Sequence, residues 1–75
     1  MKKKIEKILK KAVNHRDKAI ELLKLSGEIH QAGQEGLLDQ NNAVALVNNL
    51  NDQAITETEK AVKLQEVILK VITEE

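Results

Sequence analysis

The sequence predicts an all-α protein: an antiparallel two-helix hairpin that assembles into a four-helix or larger bundle. Three observations carry this. First, the 75 residues contain no Phe, Tyr, Trp, Pro or Cys, and only three Gly. A chain rich in Leu, Ile, Ala, Lys and Glu but without aromatics favours helix over sheet. Second, apolar residues recur at spacings of three and four on both sides of the chain's middle, the period of an amphipathic helix. Third, the only strong turn signal, AGQEGLLDQNN, sits near that middle.

The first helix is predicted over about residues 3–32. Its apolar positions are Ile5, Ile8, Leu9, Ala12, Val13, Ala19, Ile20, Leu22, Leu23 and Ile29. Lys3, Lys4, Lys7, Lys10, Lys11, Asn14 and Lys18 fall on the opposite arc. Ser26-Gly27 is its weak point, where a kink is expected if anywhere. The turn is predicted over about 33–39. Gly33 and Gly36 supply the backbone freedom of a helix end, and Asp39 is the favoured N-cap of the next helix, ahead of Asn41 and Asn42.

The second helix is predicted over about 40–73. Ala43, Val47, Leu50, Ala54, Ala61, Leu64, Ile68 and Val71 make a heptad-like stripe, widened by Val44, Ile55, Val62, Leu69 and Ile72. The stretch Asn48–Asp52 is a poor helix former, yet the stripe keeps its phase through it, so the helix is expected to continue. The whole chain, 1–75, reads as one domain.

Formal net charge is zero, but the charge is unevenly spread. Residues 1–18 carry eight basic side chains against Glu6 and Asp17, whereas residues 50–75 are acidic on balance. The absence of cysteine removes disulfides, thiolate zinc sites and thiol nucleophiles. The longest apolar run, Ala43–Val47, is far shorter than a membrane span. Lys7, Lys10 and Lys11 interrupt any signal-peptide apolar core. A soluble, cytoplasmic protein without integral membrane association is expected.

With a turn centred near residue 36, facing residues have numbers summing to about 72. His15 then faces Glu57, with Arg16 and Thr58 beside them. This group is expected to be a polar layer that sets register, or a ligand site between the helices. Metal binding is not expected: neither His15 nor His30 is preceded by the Glu of a Glu-x-x-His pair, and HExxH is absent. No cofactor is implied. Ser26 lacks a nucleophile elbow, and Gly33-Gln-Glu-Gly36 lacks the spacing and lysine of a phosphate loop. The chain reads as a non-enzyme.

Two binding surfaces remain. Each helix carries two adjacent apolar seams, more than one partner helix covers. Ile8, Ala12, Leu22, Val47, Ala54 and Ile68 are the expected interface of a homo-oligomer, a dimer being favoured, which captures a protein partner or small ligand. The alternative is an electrostatic binder of nucleic acid or phosphorylated small molecules through Lys3, Lys4, Lys7, Lys10 and Lys11. One arginine, Arg16, and no aromatic leave little means of reading bases. The outline, with LLKLSGEIHQAG before a turn, is similar to helical-hairpin secretion chaperones of the flagellar type. That resemblance implies long antiparallel helices and rests on Leu, Ile and Ala spacings.

Overall fold

A computed structural model describes residues 2–74 and shows the hairpin. Helix α1 spans Lys2–Gln34 and helix α2 spans Gln40–Glu74. No strand occurs among the described residues. The two helices pack along their length within an envelope of 56 × 14 × 10 Å. Neither Ser26-Gly27 nor Asn48–Asp52 breaks a helix. Seam residues on both sides of each weak point outweigh its local propensity.

The turn is built from specific backbone groups. Gly36 adopts φ +79°, a left-handed conformation that glycine enters without a steric penalty. Its N–H donates to the Gly33 carbonyl at 3.3 Å, and the Leu37 N–H donates to the Ala32 carbonyl at 2.9 Å. Together these bonds form a Schellman motif, which satisfies the last carbonyls of α1. Asp39 then caps α2: its carboxylate accepts from the Asn42 N–H at 3.3 Å, and its carbonyl accepts from the Ala43 N–H at 2.8 Å.

The inner seam of α1 runs Ile5, Ile8, Ala12, His15, Ala19, Leu22, Ser26, Ile29, Gly33, alternating steps of three and four without a break. Every second member from Ala12, a step of seven residues, is small, and Ala12, Ala19, Ser26 and Gly33 are all buried. On α2 the buried residues are Ala43, Ala54 and Ala61. Small side chains let the two backbones approach closely. A Cβ added at Gly33 would lie 2.8 Å from the Ala43 Cβ, so glycine is required there by contact rather than by φ.

This packing places the six residues expected at an oligomer interface in the seam between the two helices. Ala12 and Ala54, 3% and 2% exposed, are covered inside one hairpin. Ile8, Leu22, Val47 and Ile68 are half-buried in the same inner seam. The other stripe is left outside, with Leu9, Ile20, Leu23, Val44, Ile55, Val62, Leu69 and Ile72 exposed, and Leu25, Leu37, Leu38, Leu46 and Val67 are exposed elsewhere. The reason is steric. The stripe with alanine, serine and glycine allows the closest helix approach and therefore turns inward, and the bulkier stripe is displaced outward.

Candidate functional site: an apolar face backed by a polar seam

The His15–Glu57 pair forms in the inner seam. His15 Nδ1 donates a hydrogen bond to Glu57 Oε2, with both side chains partly buried. Lys60 lies one turn away on α2, its Nζ 3.7 Å from the other carboxylate oxygen. The hydrogen bond from His15 holds the Glu57 carboxyl below its ordinary value of 4.5. Burial works against this, and the positive charges of Lys60, His15 and Lys18 add to it.

Arg16 and Thr58 do not join the pair. Arg16 is 64% exposed and faces Asp17 at 3.6 Å. The Thr58 hydroxyl donates back to the Ala54 carbonyl at 2.8 Å. Both sit one residue beyond the seam, and the 100° step between helix neighbours carries them onto its flank. A second polar layer lies nearer the turn: buried Ser26 donates from Oγ to Asn51 Oδ1 at 2.9 Å. The sequence reading missed this layer. The signal was present, since Ser26 stands seven residues from both Ala19 and Gly33.

These contacts also show how the register runs. His15 and Glu57 obey a sum of 72, but Ser26 with Asn51 and Gly33 with Ala43 are offset by four or five positions toward α2. Both helices are unbroken and rise equally per residue, so one register holds along them, and the longer His15 and Glu57 side chains meet across an offset of about one helical turn.

The two broad faces of the hairpin differ. In an antiparallel pair, corresponding flanks of the two helices lie on the same side. One groove between the helices is lined by Leu9, Val13 and Arg16 from α1 with Thr58, Val62 and Gln65 from α2. Nearer the turn, His30 and Gln34 border Val44, Val47 and Asn48 on the same flank. The opposite groove is lined by Lys18, Glu21, Leu22 and Leu25 with Gln53 and Glu57. By helical spacing, Ile20, Leu23, Ile55, Leu69 and Ile72 continue the first face. It is an apolar strip along most of the molecule, interrupted by Arg16, His30, Gln34, Asn48, Asn51, Thr58 and Gln65.

Lys3, Lys4, Lys7, Lys10 and Lys11 are all exposed. They occupy the outer and opposite side of α1, away from the apolar strip. Among the described residues none of these lysines forms an ion pair. Among those residues, no group of three or more metal-ligating side chains converges, and no helix is long and apolar enough to cross a membrane. No protein family, curated protein or solved structure matches the chain.

Proposed function

We propose that the protein is a non-catalytic binding or regulatory module that self-associates through the apolar face of its hairpin and captures a protein partner or small ligand as a bundle. The observation that carries this is the concentration of large aliphatic side chains on one face of both helices. Leu9, Ile20, Leu23, Val44, Ile55, Val62, Leu69 and Ile72 are each at least 45% exposed in the single chain. Contiguous apolar patches of this kind mark interaction surfaces. Covering such a side chain completely is worth roughly 1.5–3 kcal/mol, and the interior of one hairpin, filled mainly by alanines, offers little such burial. The non-catalytic reading is supported by the use already made of the polar groups. His15 is held by Glu57 and Ser26 by Asn51.

Replacing Ile55 and Val62 together with Asp tests this. Both are exposed in the isolated hairpin, so its helical circular dichroism at low concentration should match that of the parent. Association and partner capture should be lost. A variant that retains both the parent's mass in sedimentation and its partners would dispose of the reading.

A second reading rests on the cationic side of α1. Its first turn contains Lys2, Lys3 and Lys4 and no acidic residue, against the preference of a helix N-terminus for negative charge. This arrangement suits an anionic partner. Because the lysines lie away from the apolar strip, both surfaces can act in one assembly.

A further inference from the structure

We infer that the lysine arc of α1 docks on the phosphate backbone of duplex DNA, without reading its sequence. This rests on the reading of the cationic side of α1 as suited to an anionic partner, and adds the chemical class of that partner. Three observations carry it.

The first is the composition of the arc. At about 100° per residue, Lys10, Lys3, Asn14, Lys7, Lys18, Lys11 and Lys4 follow one another around α1 in steps of about 20°, over an arc of about 120°. All seven are exposed. Between Lys2 and Lys18, no acidic or apolar residue falls within this arc. Glu6 and Asp17 lie beyond its Lys10 edge, and His15 and the inner seam lie beyond its Lys4 edge. Among the described residues, none of the six lysines forms an ion pair, and Asp17 already lies beside Arg16 at 3.6 Å. From Lys3 to Lys18 the arc runs about 22 Å along the helix axis. It gathers positive charge that the hairpin does not use to hold itself together.

The second is shape. The lysines curve around a single helix, with Lys10 and Lys3 on one shoulder and Lys11 and Lys4 on the other. The major groove of duplex DNA, about 12 Å wide, admits an α-helix between two walls of phosphate. Each shoulder then meets one wall. A planar lipid surface meets only the crest of such an arc, and the arc offers no apolar side chain to bury among headgroups. The inner seam lies roughly 130° around α1 from Lys7, so α2 rides behind the contact. The positive end of the α1 dipole falls within the same lysine segment, whose first turn has no acidic residue.

The third is the kind of side chain. The sequence has no Phe, Tyr or Trp to stack on unpaired bases, the usual means of holding single strands. The arc contains no arginine, the side chain whose fork reads guanine. Lysine is a flexible point charge that follows phosphate wherever it lies. The contact is therefore to the backbone of a paired duplex. It releases counterions and weakens steeply with salt.

The test uses the full chain and a fluorescein-labelled DNA duplex of about 20 base pairs, read by fluorescence anisotropy. Binding at 50 mM salt is expected, weakened roughly 10²–10³-fold at 200 mM for about four to six engaged phosphates. Two unrelated sequences should bind within about threefold of each other. Lys7→Gln with Lys11→Gln should lower the slope of log affinity against log salt by about two, with helical circular dichroism unchanged. Lys63→Gln with Lys70→Gln, on α2, should leave that slope as it is. An unchanged slope in the Lys7 and Lys11 variant puts the contact outside the arc and overturns the inference, as does a preference above tenfold for one sequence. Vesicles containing 30% phosphatidylserine are the second probe. Tighter binding to vesicles than to duplex, lost in the Lys7 and Lys11 variant, overturns duplex DNA as the partner and keeps the reading of an anionic partner. Binding to neither probe at 50 mM salt overturns both.

Discussion

His15 and Glu57, forty-two residues apart in the chain, meet through a hydrogen bond from Nδ1 to Oε2 in the inner seam, whose second polar layer is Ser26 with Asn51. Aliphatic and alanine residues flank the pair on both sides, Ala12 and Ala19 on α1 and Ala54 and Ala61 on α2. A one-position slip of either helix would leave both polar groups facing apolar neighbours. The pair therefore penalises misregistered hairpins more than it stabilises the correct one, which is the usual effect of a polar layer in a helical seam.

Removing one partner should consequently be worse than removing both. Glu57→Leu leaves the imidazole against aliphatic side chains without its acceptor, whereas His15→Leu with Glu57→Leu closes the seam. The single variant should melt at lower temperature than the double. The double should melt near the parent or above it, but populate shifted registers, visible as extra amide resonances in solution spectra. Equal melting of Glu57→Leu and the double variant would show that the two residues are energetically independent.

The same pair gives a signed pH dependence. The Glu57 carboxyl is held below its ordinary value of 4.5, first by the hydrogen bond from His15 and then by Lys60, His15 and Lys18. An unfolded chain takes up this proton before the folded one does. The contribution to stability is therefore complete above about pH 4.5 and falls as pH drops through the lowered folded value. Denaturant midpoints measured downward from pH 5 should decline, and Glu57→Gln should flatten part of that decline. An unchanged slope in Glu57→Gln would place the acid sensitivity in other carboxylates.

The three glycines should respond differently to alanine. Gly27 has no neighbour within 4 Å of an added Cβ and lies inside α1, so Gly27→Ala should stabilise by about 1 kcal/mol from helix propensity. Gly33→Ala gains the same propensity but drives its Cβ to 2.8 Å from that of Ala43. Overpacking of this kind costs about 1–3 kcal/mol, giving a net loss that Ala43→Gly should partly restore. Gly36→Ala is strained by φ +79° and should cost about 1 kcal/mol without any rescue from Ala43→Gly. Thermal melts of these variants, with and without Ala43→Gly, separate contact from conformation.

Much of this molecule is legible in the sequence because its determinants are local. Gly36 and Asp39 carry the turn through bonds to residues three to five positions away. The three–four spacing carries both helices, and it carries them across Ser26-Gly27 and Asn48–Asp52 because apolar phase over thirty residues outweighs a few poor helix formers. The pairing of His15 with Glu57 lies within about one helical turn of the register that the turn sets, close enough for two long side chains to meet. What periodicity does not contain is which of two equally regular stripes turns inward. Ile8-Ala12-Leu22 and Leu9-Val13-Ile20-Leu23 are both valid helical seams, and each helix taken alone has no reason to choose. The choice is made when the backbones approach, where the alanines and Gly33 admit contact and the bulkier stripe does not. That same step moves Arg16 and Thr58 out of the polar layer, brings Ser26 to Asn51, and places the outer stripes of both helices on one side of the hairpin. A shared face is a property of two helices in a particular register, and only the tertiary structure supplies it.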